Sequence, residues 1–273
     1  MDVNFLLNDV EVRFTDALPA VEPVQFRKPY LEANDEQFYL SVQNVGEFYS
    51  ENGNLILIKS NTDVDQKSIE LYLNGSVLGS ILHQRKIFAL HGSSFKLNDQ
   101  TVIICGHSGF GKSSLTLAMC KDHHATFLTD DITPISNGTI LPISEKLKLW
   151  RNSLEQLGIS SEELQPVHDE MDKFYLEFES SQVNFPPDII FIGETYSGKT
   201  LHIEEIKGTD KFEHLFANQY WEELTSSMEQ SRNHYFQTIV ELCNNSTMFL
   251  VKRPQNIEIR KVSEELLKYI NDK

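Results

Sequence analysis

Cysteine is scarce in this 273-residue chain: Cys105, Cys120 and Cys243 are all it has, and their spacing matches neither a disulfide framework nor a zinc site. Reduced thiols in a cytoplasmic protein are the expectation. Positive charge is also short. With 24 Lys and Arg against 40 Asp and Glu, the formal net charge is −16, which argues against nucleic acid or an anionic membrane as a partner. A basic peptide would be electrostatically welcome, but solubility alone accounts for an acidic surface. Long apolar runs are missing too, since no stretch approaches the about 18–20 residues that a membrane span requires. The opening Met1-Asp-Val-Asn-Phe-Leu-Leu has neither the basic region nor the small-residue cleavage site of a secretory signal. No internal repeat, low-complexity tract or long flexible linker is present.

What is present is an ordinary globular balance, 40% hydrophobic and 23% charged, enough to build one large α/β domain or a small leading domain followed by a larger one. Within it, Gly106-His107-Ser108-Gly109-Phe110-Gly111-Lys112-Ser113 is a complete phosphate-binding loop of the form G-x-x-x-x-G-K-[ST]. Glycines at its tight turns let backbone N–H groups approach a phosphate closely. Thr101-Val-Ile-Ile-Cys105 reads as a buried strand entering the loop, and Lys112 to Cys120 as a helix whose N-terminus faces the anion. The motif assigns Lys112 to the β- and γ-phosphates of a nucleoside triphosphate and the Ser113 hydroxyl to Mg²⁺, with Ser114 next in the helix.

Upstream, residues 1–80 read as a β-rich region. Gln37–Gln43 and Leu55–Lys59 are strands with a hairpin turn at Glu51-Asn-Gly-Asn between them. Ser68–Gln84 turns helical over its second half and leads toward the nucleotide-binding part, residues 81–273. Phe88–Leu97 reads as one strand, closed by a turn at Asn98-Asp-Gln100.

After the first helix, Ala125-Thr-Phe-Leu-Thr is a strand ending in Asp130-Asp131. If it lies beside the loop's entering strand, both carboxylates reach the sheet's carboxyl end, where ligands bind in open α/β sheets. One could hold Mg²⁺ and the other accept the proton of an attacking hydroxyl. His91-Gly92 precedes the strand-turn-strand unit that feeds the loop, a position from which the imidazole can be aimed at the metal or at Asp131.

Taken in order, His91-Gly92, G-H-S-G-F-G-K-S and Phe127-Leu-Thr-Asp-Asp131 resemble the HPr serine kinase/phosphorylase family, whose nucleotide fold is shared with ATP-dependent phosphoenolpyruvate carboxykinases. The resemblance is firmest over residues 88–135. Leu141-Pro-Ile-Ser, Leu147-Lys-Leu-Trp-Arg151 and Leu157-Gly158 look like the following segment in HPr-kinase-related proteins of ribosomal peptide pathways. The resemblance implies a carboxykinase-like α/β core, with His91 near the metal and Asp131, Lys112 on phosphate, Ser113 and Asp130 on Mg²⁺, and Asp131 as base. It also implies a homo-oligomer, and a basic role for Lys173. Two departures weigh against HPr as substrate and against the reverse phosphorolysis: no Arg-Gly pair occurs anywhere, and Ser114 stands where those proteins carry Glu.

A GTPase would need Asn-Lys-x-Asp and an ABC-type ATPase Leu-Ser-Gly-Gly-Gln, and neither is present. Arg232, Lys252 and Arg253 are further candidates to neutralise transferring charge, each set against an ordinary solvated surface charge. His123-His124 reads as a polar helix end. Asp210–Leu224 and Asn233–Cys243 have helical spacing, Thr247–Lys252 reads as a closing strand, and Val262–Ile270 as a last helix starting near Ser263. The reading is an ATP- and Mg²⁺-dependent kinase acting on a hydroxyl, with serine in a peptide or protein first and a small molecule second. From another class, a nucleotide-gated regulatory ATPase would share the loop.

Overall fold

Asn52 and Gly53 both take positive φ, 54° and 70°, a left-handed backbone that Asn and Gly accept readily, in the three-residue hairpin loop 52–54. They join two strands of a sheet built from β1 (Glu11–Phe14), β2 (Phe26–Lys28), β3 (Leu31–Ala33), β4 (Gln37–Val42), β5 (Gly46–Glu51) and β6 (Leu55–Ser60). The order is β1-β6-β5-β4-β3-β2, antiparallel except for the parallel β1–β6 pair. The computed structural model describes residues 3–179, 181, 183–226 and 228–272. The chain divides into two units, Met1–Ala89 with Tyr220–Gln237 and Leu90–Gln219 with Thr238–Lys273.

In the first unit, alternation in β4 and β6 turns Phe38, Leu40, Ile56 and Ile58 inward. The helical stretch that follows begins earlier than its sequence suggests, at Gln66, because Asp65 caps it by accepting the Ser68 N–H at 2.9 Å. It runs as α1 (Gln66–Tyr72), a π-type turn (Leu73–Val77) and α2 (Leu78–Gln84). Ile69, Leu73, Val77 and Ile81 join the sheet residues in one core.

The strand β7 (Phe88–Leu90) ends at the division between the units. Phe88–Leu97 is therefore not one strand. The chain breaks at His91, whose N–H donates to the Asn218 carbonyl at 2.8 Å, and resumes as β8 (Gly92–Leu97). A hairpin with Asn98 at φ 53° leads into β9 (Gln100–Gly106). After the glycine loop come α3 (Lys112–His123), β10 (Thr126–Thr129), β11 (Thr133–Ser136), β12 (Thr139–Ile140), β13 (Lys146–Trp150) and α4 (Arg151–Gln156). Next are β14 (Lys173–Glu177), β15 (Ile189–Tyr196), β16 (His202–Ile206) and α5 (Asp210–Ala217).

Two helices follow, α6 (Glu222–Ser226) and α7 (Glu229–Asn245). Leu224 and Met228 complete the first unit's core. There Ser231 Oγ donates to Asp35 Oδ1 at 2.7 Å, and the buried His83 meets the Tyr235 hydroxyl through Nδ1 at 3.0 Å. The chain closes with β17 (Thr247–Pro254) and α8 (Ile259–Asn271). The last helix starts three residues before Val262, because Ile259 belongs to the same buried stripe as Val262, Leu266 and Ile270.

The second unit centres on a mixed sheet of order β10-β8-β9-β15-β17-β16, a mixed α/β architecture. β9, β15 and β17 are parallel neighbours. The strand carrying Asp130-Asp131 does not lie beside the loop's entering strand as expected, because β8 stands between them. It is antiparallel to β8, and β8 to β9, so β10 still runs with β9 and ends on the same side of the sheet.

Candidate functional site

Gly106, at φ 134°, sits so close to β15 that a Cβ there would lie 2.3 Å from the Gly193 carbonyl oxygen. Gly193, its partner across the two strands, has its own reason to be glycine: a Cβ would fall 2.1 Å from the Phe110 ring. Phe110, in the middle of the loop, is 1% exposed and anchors it. Arg253, at the end of β17, holds the loop from the other side. Its guanidinium donates to the carbonyls of Phe110 at 2.5 Å and Gly109 at 2.8 Å and lies 5.5 Å from the Phe110 ring centroid. With its carbonyls held and Gly109 and Gly111 also at positive φ, 85° and 101°, the loop enters the 12-residue α3 in the manner of an anion cradle.

The candidate side chains gather at this junction. Lys112 Nζ reaches back to the Gly106 carbonyl at 2.8 Å, and burial lowers its pKa. Ser113 Oγ donates to Asp130 Oδ1 at 2.8 Å, and the other oxygen, Oδ2, accepts the Lys148 N–H at 3.1 Å. Asp130 is 8% exposed. Burial raises its pKa, the Asp131 charge adds to this, and hydrogen bonding from Lys148, Ser113 and Ser93 opposes.

Asp131 adopts φ 72° in the turn after β10, a left-handed backbone that Asp tolerates better than most residues. That turn is tied by Thr129 Oγ1 donating to the Ile132 carbonyl at 2.7 Å. Its carboxylate is 3.5 Å from Lys148 Nζ and 3.6 Å from His91 Nδ1, and the same His91 nitrogen is 2.9 Å from the Asp131 carbonyl oxygen. Burial pulls the Asp131 pKa upward, but the charges of Lys148, His91, Lys173 and Lys112 overcome it, and the carboxyl titrates below its ordinary value. Burial and the nearby Lys112 charge lower the pKa of His91, against the pull of Asp131.

The antiparallel β13–β14 pair supplies the opposite wall. Its alternation buries Leu147, Leu149 and Phe174, and two residues of its other face, Lys148 and Lys173, reach the field of Asp131. Burial lowers the pKa of Lys173. Together with the segment Gln255–Ile259 these elements enclose a cavity of about 880 Å³, lined by His91, Ser108, Lys112, Ser113, Ser114 and Asp131 among others.

Of the residues picked out by sequence, His91, Lys112, Ser113, Asp130 and Asp131 therefore converge, and Ser108, Gly109, Gly111 and Ser114 line the same cavity. Gly106 and Phe110 shape the loop from below, and His107 is exposed. Arg253 also lines the cavity, with its guanidinium engaged by loop carbonyls. Lys252 pairs with Glu204 at 3.6 Å, and Arg232 belongs to the first unit; neither lines the cavity. His124 ends α3 in the left-handed conformation at φ 58°, a polar helix end as its sequence suggests. Sequence reading missed Lys148 and Gly193. The alternation Lys-Leu-Lys-Leu-Trp in β13 marks Lys148, whereas only the packing of Phe110 reveals Gly193.

Among the described residues, no cluster of three or more His, Cys, Asp or Glu forms a metal cage, and no helix is long and apolar enough to cross a membrane. A serine hydroxyl beside a carboxylate at a helix start is an all-oxygen donor set, which suits Mg²⁺ with water and phosphate completing the shell. The chain matches no family model and no curated protein. Among solved structures it is similar to the HPr(Ser) kinase/phosphatase from Coxiella burnetii, with 12% identity and a TM-score of 0.30, over 66% of this chain and 88% of that one.

Proposed function

We propose that this protein is an ATP- and Mg²⁺-dependent kinase with a phosphate-loop core of the carboxykinase type, acting on a hydroxyl group, with serine in a peptide or protein as the first candidate acceptor. The observation that carries the reading is the Ser113 hydroxyl 2.8 Å from Asp130 at the mouth of the glycine loop, with Asp131 adjacent in the same cavity. The backbone N–H groups of residues 107–113 and the Lys112 ammonium hold the polyphosphate, while Ser113 and Asp130 hold the Mg²⁺. When bound, Mg·ATP supplies an activated terminal phosphoryl group whose charge the metal partly neutralises.

The remaining work falls to the chain's own side chains. Asp131 accepts the acceptor's hydroxyl proton at its carboxylate. Its lowered pKa keeps it ionised at neutral pH, and a base of modest strength suffices because proton loss is late in a loose phosphoryl transfer. Lys148 and His91 fix that carboxylate in place. Burial lowers the pKa of His91, and Lys148 comes before it among the charges that hold Asp131 ionised. Lys173 contributes a cation to the cavity where negative charge builds up.

The test is ADP release and phosphate incorporation into serine-containing peptides, followed by mass spectrometry. Parent protein should release ADP in proportion to phosphopeptide formed. Lys112→Ala and Ser113→Ala should both lose turnover while keeping the parent's melting temperature within a few degrees. ADP release that is the same with and without peptides, with no phosphopeptide formed, would overturn the kinase reading.

A further inference from the structure

Trp150 is the last residue of β13, and it is 55% exposed while the preceding Leu149 is buried. An indole that could bury far more surface instead stands in the wall of the cavity that holds the glycine loop. It is not loose there. Its backbone sits in extended conformation at the start of α4, and Lys173, its partner across the β13–β14 pair, places Nζ 5.8 Å from the ring centroid.

Around it the cavity wall is polar as well as charged. Besides the charged groups around Asp131 and the Arg151–Asp172 pair, the lining includes four carboxamide residues, Asn152 and Gln156 from α4 and Gln255 and Asn256 from the loop before α8. These two stretches are tied together, because Arg260 in α8 donates to the carbonyl of Leu157, just past α4, at 3.1 Å. An aromatic face with carboxamides beside it is the chemistry that receives a purine base. Stacking supplies affinity to any base, a purine offers the larger face, and a carboxamide matches the adjacent donor and acceptor on adenine's edge.

We infer that Trp150 is the platform on which the base of a purine nucleotide, adenine in particular, stacks, with the carboxamides of α4 and of residues 255–256 reading its edge. This rests on the nucleotide-binding reading of the glycine loop. It adds to that reading a residue for base affinity that is separate from those holding phosphate.

The chain has two tryptophans, and Trp221 packs in the first unit, its ring 5.7 Å from that of Phe38. A Trp221→Phe variant therefore reports on Trp150 alone. Mg·ADP should quench its emission saturably, whereas Mg·tripolyphosphate, which carries no base, should bind without quenching. By calorimetry on the otherwise unaltered chain, Trp150→Ala should weaken ADP by roughly 5- to 100-fold, the range for losing one base–aromatic stack. Tripolyphosphate affinity should be unchanged, and Trp150→Phe should recover most of the loss. CDP should bind the parent more weakly than ADP.

If Trp150→Ala binds ADP as tightly as the parent, the inference is overturned while the phosphate site stands. An equal loss of ADP and tripolyphosphate would also overturn it, since Trp150 would then be supporting the loop. If neither ADP nor tripolyphosphate binds the parent, the nucleotide reading fails and the inference with it. Calorimetry decides alone should Trp221→Phe fail to fold.

Discussion

Asp131 can be altered without disturbing its backbone, because Asn accepts a left-handed φ nearly as readily as Asp does. Asp131→Asn therefore removes the charge alone. It should lower kcat by roughly 10²–10⁴-fold, the usual effect of losing a positioned base, while the Kd for Mg·ADP stays near that of the parent. An affinity loss with unchanged kcat would make Asp131 a binding residue instead. Because its folded pKa lies below the ordinary value, the stability its ionisation contributes is fully present above the unfolded pKa and is lost only as pH falls through the folded one. Its protonation should therefore produce no acid limb in kcat between about pH 5 and 8. His83 behaves differently. Burial lowers its pKa from 6.5 to about 4, so it is neutral in the fold. The unfolded chain takes up a proton near pH 6.5, and stability is lost as pH drops from there toward 4. The loss amounts to about 3 kcal/mol at ~1.4 kcal/mol per pH unit. Urea melts at pH 7 and pH 4.5 should show His83→Gln losing less stability on acidification than the parent does.

At the scale of elements, the glycine loop is held less by its own sequence than by two strands far away in the chain. β15 has no side chain at Gly193, where the Phe110 ring takes the space, and β17 sends Arg253 to the loop carbonyls. Gly193→Ala should therefore behave as an overpacked core substitution costing about 1–3 kcal/mol, and it should weaken Mg·ADP binding by displacing the Phe110 ring and with it the loop. Adding Phe110→Ala should restore part of the melting temperature, a non-additivity that a double-mutant cycle measures. Strict additivity would mean that the two positions do not compete for the same space. The contrast also marks what is legible from residues alone. G-x-x-x-x-G-K-[ST] carries its own geometry, so the loop, its strand and its helix could be read directly. The partners that brace it could not, because a glycine in the run Ile-Ile-Phe-Ile-Gly193 announces only that something approaches. Local pattern also misplaced β10 by one strand: apolarity indicates that a strand is buried but not which neighbour it takes.

For the molecule as a whole, the net charge of −16 means self-repulsion that salt should relieve. Raising NaCl from 10 to 150 mM should increase the melting temperature, and a fall would show that attractive pairs such as Arg151–Asp172 and Arg85–Asp9 outweigh the excess. The β-rich character of the opening residues and the α/β character of the rest were readable from composition and period. The return of Tyr220–Gln237 to the first unit was not. Those residues have the spacing of an amphipathic helix, and the spacing says that one face is buried without saying in which core.

That return has a consequence for how the protein is made. A chain emerging from the ribosome presents β1 to α2 long before Leu224 and Met228 exist to fill the space among Phe38, Ile69 and Val77. The first unit to be synthesised is thus the one that must wait, and its exposed apolar sheet is in the meantime a target for chaperones. A fragment cut after Ala89 should aggregate or remain loosely packed. The same fragment carrying residues 220–237 on a flexible linker should give a cooperative melt.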